Sequence, residues 1–242
     1  MKIAVVTPSY QPEDAVLVQC VDSVAAQTYP CTHILASDGP PHPLIEARSL
    51  NHIRLPQAHG PGGNLPRCFG ALMAINQGYD AIAFLDDDNW FTPDHIETMV
   101  ELYTRSDAVV CTASRTIHRW DGSLMPVIDT WNDGVNNVDT SCLFLTRLAF
   151  PLVSNWAMMP PKLGPVCDRI YWQSIQKQAT PTSHAPAPTV CFRSLYKVHY
   201  EILGEPAPRG AKSSEDVDKP IEWFNNLPDS ERNYWGAALG IL

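Results

Sequence analysis

The chain has 242 residues, 45% hydrophobic and 18% charged, which excludes a disordered or fibrous protein and leaves enough length for one full core. Seventeen Lys and Arg against 26 Asp and Glu give a net charge of −9. With no dense basic stripe to offset it, electrostatic capture of nucleic acid or of an anionic membrane surface is excluded, and an anionic substrate would need a bound cation or helix N-termini to hold it.

The seven cysteines (Cys20, Cys31, Cys68, Cys111, Cys142, Cys167, Cys191) are odd in number, widely spaced and without a CxxC pair, so they read as buried free thiols in a reducing compartment. Met1 to Thr7 reaches Pro8 too soon for a signal peptide, and no run of about 18 apolar residues occurs. A cytoplasmic protein without its own membrane segment is expected.

Residues 3–7 are an apolar run closed by Pro8, the pattern of a strand buried on both faces of a parallel sheet. Val16, Leu17, Cys20, Val21 and Val24 recur at helical spacing and predict a helix on one face. Strands follow at 33–37, closed by Asp38-Gly39-Pro40-Pro41, and at 52–55. The stretch Gly60-Pro61-Gly62-Gly63-Asn64 then leads into a helix from about 66 to 76. The next strand is 81–85, ended by Asp86-Asp87-Asp88. Thr92-Pro93-Asp94 predicts a helix start with Thr92 as cap, and 108–112 is one more strand.

This alternation through residue 112 predicts an α/β fold, a doubly wound and mostly parallel sheet with ligands at the strand C-termini. The second half reads as a smaller mixed region: a hairpin over 115–127 turned at Asp121-Gly122, a strand at 141–146, a helix over 168–177, and a strand or extended loop over 192–199. Residues 1–205 are expected as one domain, with halves 1–112 and 113–205. From Pro206 onward, Pro, Gly, Lys and Ser predict a mobile linker before a short aromatic tail around Trp223 to Trp235, the two together filling 206–242.

Three aspartates directly after an apolar strand carry the strongest chemical signal, because carboxylates at a strand C-terminus face the ligand crevice and bind hard divalent cations. A solvated acidic turn is the alternative. The glycine-rich stretch before a helix can bring Gly62, Gly63 and Asn64 close to an anion, or can serve as a flexible connector. Residues 131–141, with Trp131, Asn136, Asn137, Asp139 and Thr140, suit an acceptor site in which Trp131 stacks on a sugar face; an ordinary polar loop is the alternative.

Over residues 3–105 the sequence resembles the inverting family-two glycosyltransferases of the glycosyltransferase-A fold. The resemblance rests on Val6-Thr7-Pro8-Ser9-Tyr10, Cys20 to Val24 with Gln27-Thr28-Tyr29, Ser37-Asp38-Gly39, Arg67 to Gly70, and Phe84 to Asp88. It implies that Thr7, Pro8 and Tyr10 line a nucleoside pocket, that Asp38 contacts the base, usually uracil, and that Asp86 sits near the ribose, with Asp87, Asn64 and Arg67 also on the donor side. Asp88 would ligate Mg²⁺ or Mn²⁺ bridging the donor phosphates. Cys68 departs from the family, where an Asn is common after the Arg.

The same resemblance makes Asp168, within Cys167-Asp168-Arg169, the candidate general base, although the usual preceding Glu is absent; a helix cap is the alternative. Arg169 would orient Asp168 or bind phosphate or acceptor, with a surface ion pair as the alternative, and His199 would be a further metal ligand, against a plain structural role. The implied reaction moves a sugar from a nucleotide-diphosphate donor, a UDP-sugar foremost, to a hydroxyl of a glycan, lipid-linked or small-molecule acceptor, with inversion. A sugar-phosphate nucleotidyltransferase is a rival whose glycine-rich opening is missing, and a non-catalytic binding module is another. A homo-oligomer is compatible with the aromatic tail.

Overall fold

Ile3, Ala4, Val5 and Val6 offer no polar side chain to solvent, and in the computed structural model they open strand β1 (Ile3–Ser9), buried along its whole length. Residues 1–48, 51–60, 62–178 and 180–242 are described. Helix α1 (Asp14–Ala25) buries Val16, Leu17, Cys20, Val21 and Val24, the stripe expected from their spacing. There follow β2 (Cys31–Ser37), the short α2 (Pro43–Ala47), β3 (Asn51–Arg54), α3 (Asn64–Asn76), β4 (Ala81–Phe84), β5 (Trp90–Phe91), α4 (His95–Arg105) and β6 (Val110–His118). The second half supplies β7 (Leu143–Thr146), α5 (Ser154–Met158), α6 (Cys167–Lys177), β8 (Thr182–Arg193), α7 (Lys197–Leu203), α8 (Ser214–Asn225) and α9 (Asp229–Leu239).

Among the described residues the strands form one eight-stranded sheet in the order β3-β2-β1-β4-β7-β6-β8-β5. β1 pairs parallel with β2 and with β4, and β6 with β8, whereas β7 runs antiparallel between β4 and β6, and β5 runs antiparallel to β8. The sheet is thus mostly parallel, and the second half extends it rather than building a separate one. The chain leaves β1 toward β2 and β3, then crosses back to β4 on the other side. That reversal opens a crevice at the C-terminal ends of β1 and β4. α3 lies close over it, since a Cβ on Gly70 would come 2.5 Å from Val6 Cγ1.

Several elements differ from expectation. α4 starts at His95 rather than after a Thr92 cap, because the Thr92 hydroxyl donates to Asp94 Oδ1 at 2.5 Å instead of receiving a helix N–H. The turn at Asp121-Gly122 exists, with Gly122 at φ +87°, yet its return arm makes only the bridge His118–Leu124. β8 tolerates Pro186 and Pro188 because its register with β6 shifts on both sides of Ser114, where missing N–H groups cost little. Residue 199 falls in helix α7, not in an extended segment.

The expected linker and tail are corrected too. Residues 206–213 form loop, but Ser213 and Asp216 make a reciprocal capping box that starts α8, and α8 packs on the 3₁₀ segment Pro161–Val166. Val217, Leu239 and Ile241 are buried in the main core, so the C-terminal helices are part of the domain. All seven cysteines are unpaired. Among the described residues no helix is long and apolar enough to cross a membrane. Leu239→Ala should therefore cost about 2–5 kcal/mol of stability in urea unfolding; a loss below about 0.5 kcal/mol, the range of surface changes, would mean the tail is not docked.

Candidate active site

One cavity lies against the carboxylate turn that follows β4, and another lies around the first turn of α6. The first, about 260 Å³, sits in the crevice between β1 and β4 and is lined by Pro8, Ser9, Tyr10, Asp38, Gly60, Gly62, Gly63, Pro66, Arg67 and Asp86 to Asp88. The sequence-predicted donor residues Pro8, Tyr10, Asp38, Arg67, Asp86, Asp87 and Asp88 thus converge. Thr7 and Asn64 do not line it: the Thr7 hydroxyl is buried against His33 Nε2 at 2.8 Å, and Asn64 Oδ1 accepts from Arg67 Nη1 at 3.2 Å. Pro61 of the glycine-rich stretch lies outside the described residues.

Arg67 organises the floor. Its guanidinium is 2% exposed, bonds Asp86 Oδ1 at 2.6 Å and the Gly62 carbonyl at 2.9 Å, and packs 4.7 Å from the Trp156 ring. The glycines are required by close approach: at Gly63 (φ +62°) a Cβ would meet Pro8 Cβ at 2.8 Å, and at Gly62 (φ +88°) the Gly164 carbonyl at 2.8 Å. The loop is pinned on both sides rather than a free connector. Asp38, buried, accepts the His59 backbone N–H at 3.0 Å on each oxygen and meets His59 Nδ1 at 2.8 Å.

The acidic turn is electrostatically loaded. Asp87 Oδ2 accepts the Tyr10 N–H at 3.1 Å, yet burial, seconded by Asp86, pushes its carboxyl up to about 7. Burial and then the charges of Asp86 and Asp87 push Asp88 well above the usual carboxylate range. The turn is held from behind by Arg193, whose guanidinium donates to the Asp88 carbonyl, and by Ser141 Oγ, which accepts from Asp86 N at 3.2 Å and Asn89 Nδ2 at 3.0 Å.

The second cavity, about 280 Å³, gathers Trp131, Asn137, Asp139, Asp168, Arg169 and His199 with Arg115, Asp129, Tyr196 and Lys212. Asp168 stands in the first turn of α6, where its Oδ1 accepts the Arg169 N–H at 2.8 Å; the N-cap position itself is Val166. Burial raises the Asp168 carboxyl, opposed by that N–H and by Arg115 and Arg169. Trp131 is 59% exposed, with the Arg169 guanidinium 5.1 Å from its ring. Asn137 Oδ1 is buried without a partner, an acceptor left open in the cavity wall.

His199 is placed differently from expectation. It lines the second cavity whereas Asp88 lines the first, its Nδ1 is taken by Ser194 Oγ at 2.7 Å, and burial lowers its pKa. Its helix places it in the same cavity as Asp168. Arg115, Asp129, Ser141, Asn89 and Arg193 escaped the sequence reading. The one available signal was a charged Arg115 inside an otherwise uncharged strand, followed by Asp129 and Asp139 as possible counter-ions.

Residues 4–159 match the family described as Glycosyl transferase family 2, which covers more than half of the chain. The succinoglycan biosynthesis protein ExoW of Rhizobium meliloti (strain 1021) is 37% identical over 125 residues, 48% of this chain but 38% of that protein, so the chain spans well under half of that relative's length. In solved structures the fold is similar to S. aureus TarS 1–349 in complex with UDP-GlcNAc, with a TM-score of 0.63 and 14% identity over 99% of this chain and 71% of that one. It is likewise similar to S. aureus TarS, with a TM-score of 0.62 and 13% identity over 99% and 43%. Together with the mostly parallel sheet and its loaded crevice, these matches place the chain in glycosyl transferase family 2, as a glycosyltransferase.

Proposed function

We propose that the protein transfers a sugar from a nucleoside diphosphate donor, a UDP-sugar foremost, to an acceptor hydroxyl with inversion. The observation that carries this reading is the convergence of Asp38, the Gly62-Gly63 turn, Arg67 and the three aspartates around one crevice at the sheet's reversal. The solved TarS complex with UDP-GlcNAc, of similar fold, supports a nucleotide-sugar there. Asp38 and Tyr10 face the nucleoside, and the aspartate turn faces the diphosphate.

Among the described residues no three His, Cys, Asp or Glu side chains are grouped to hold an ion on their own. Mg²⁺ is typically held by one or two carboxylates completed by substrate phosphates and water, and a crevice with three clustered carboxylates and no enclosing cage fits that chemistry. Asp88 would hold Mg²⁺ or Mn²⁺, which when bound offsets diphosphate charge. Arg67 fixes Asp86, while Arg193 and Ser141 fix the backbone of the turn.

On the other side of the turn, Asp168 takes the proton of the acceptor hydroxyl. The freed oxygen pair attacks the anomeric carbon from the face opposite the nucleoside diphosphate, and the bond to the leaving phosphate oxygen breaks. Trp131, Asn137 and Asp139 contact the acceptor, and Arg169, donating its backbone N–H to Asp168, orients the base.

Asp168→Asn should lower transfer by about 10²–10⁴-fold with nucleotide binding intact; near-full transfer would reject Asp168 as the base. The thermal shift given by UDP with Mn²⁺ should vanish in Asp88→Ala, and a retained shift would remove Asp88 from the metal site. In metal-free protein, Asp87 binds more protons folded than unfolded between about pH 4 and 7, so its contribution to stability falls as pH rises through that window. The melting temperature of Asp87→Asn relative to wild type should accordingly climb from pH 4 to 7 and level off above; a flat difference would show that Asp87 is ionised throughout.

A further inference from the structure

We propose that Arg115 is the positioning residue of the transfer site: its guanidinium locks the acceptor loop and the carboxylate turn into one frame, and its charge keeps the Asp168 carboxylate ready to take a proton. This rests on the glycosyl-transfer reading above. Arg115 stands on β6 directly after the register shift against β8, where a bulge re-aims side chains. The side chain is 8% exposed, with the guanidinium carbon over Phe192, 4.0 Å from the ring centre. Nε bonds Asp129 Oδ2 at 2.5 Å and Nη1 bonds Asp139 Oδ2 at 2.7 Å, so one planar fork joins two segments fourteen and twenty-four residues away.

Each carboxylate hands the constraint on through its other oxygen. Asp129 Oδ1 accepts the N–H of Trp131 at 2.9 Å, which sets the exposed indole at the cavity mouth. Asp139 Oδ1 accepts the Ser141 N–H at 2.9 Å, and Ser141 Oγ in turn receives Asp86 N and Asn89 Nδ2. A continuous bonded path therefore runs from the acceptor side through Arg115 to the turn that carries Asp88. Asn132 closes the loop locally, accepting from Asp139 N at 2.7 Å and donating to the Ala113 carbonyl at 2.8 Å.

The charge of Arg115 reaches Asp168, as does that of Arg169 on the same helix. Lys212, ahead of α8, lines the same cavity. Against these cations stand Asp139 and Asp129 from the acceptor loop, Asp86 from the β4 turn and Asp218 from α8, with the neutral Tyr196 and His199 ahead of and on α7. Anions outnumber cations among the charged groups named around this buried base, and Arg115 is a buried cation of the same cavity, so its loss leaves Asp168 harder to ionise.

The test is the pH dependence of kcat/KM for sugar transfer in Arg115→Met, Arg115→Lys and wild type, with UDP and Mn²⁺ thermal shifts alongside. Arg115→Met should move the acid limb upward by on the order of one pH unit. Arg115→Lys, which keeps the charge but not the fork, should leave the limb in place while raising the acceptor KM. Arg115→Met leaves two buried carboxylates without their counter-ion, and should it fail to fold the comparison passes to Asp129→Asn against Asp129→Asn/Arg115→Met, where the upward shift is again expected. An acid limb that stays at the wild-type pH in whichever pair folds overturns the role, even if transfer slows. No transfer by wild type with any nucleotide-sugar would overturn the proposed function, and this role with it.

Discussion

The ion pair between the buried Arg67 and the partly exposed Asp86 is the contact on which the crevice depends. Burying a guanidinium is costly unless its donors are met, and here Asp86, the Gly62 carbonyl and Asn64 Oδ1 meet Nη1 and Nη2 beside the Trp156 ring, while Nε has no partner among the described residues. Removing Asp86 leaves the Arg67 charge buried without its counter-ion, a loss that typically costs about 3–5 kcal/mol. The pair also fixes geometry. It fastens the first turn of α3 to the end of β4, and so sets the width of the gap in which a diphosphate would lie. The left-handed glycines follow from this closeness, since Gly63 lies against Pro8 and Gly62 against Gly164.

The aspartate turn is strained electrostatically by the same closeness. Three carboxylates follow one another where solvent is scarce, and Asp87 and Asp88 are both driven toward protonation. Arg67 and the Tyr10 N–H meet the Asp86 and Asp87 carboxylates, and further groups hold the backbone of the turn. Ser141 accepts from Asp86 N, Arg193 donates to the Asp88 carbonyl, and Arg193 N in turn donates to Asn89 Oδ1 at 2.9 Å. None of these bonds uses the Asp88 carboxylate, and a cation held there would offset the repulsion among the three carboxylates.

The first half of the fold was legible because its signals are local. Apolar runs ended by Pro8, Asp38-Gly39 or Asp86 mark strands, and the helical spacing of Val16 to Val24 marks the covering helix. What was misread lay where long-range contacts override composition. β5 is two residues long and exists because β8 pairs with it. β8 contains two prolines, which argue against a strand until the register shift is known. The C-terminal segment reads as a linker by its Pro, Gly, Lys and Ser content, yet the Ser213 to Asp216 box and the spacing of Val217, Ile221 and Phe224 suffice for a helix once a surface exists to receive it.

The two halves of the candidate site differ in legibility for a related reason. The donor crevice is assembled from strand ends, where a few adjacent residues carry the whole chemical signal. The acceptor cavity is assembled from β6, the loop after it, the first turn of α6, the start of α7 and the approach to α8, each contributing one or two side chains of ordinary composition. Trp131, Asn137, Asp139 and Asp168 could be suggested singly, but their convergence depends on Arg115 tying the loop down, and an arginine within a strand announces nothing until Asp129 and Asp139 are seen beside it. Because Lys212, Ser213 and Val217 line the same cavity as Asp168, the docked C-terminal helix forms part of its wall, and changes in this segment alter the shape of the space in front of that carboxylate.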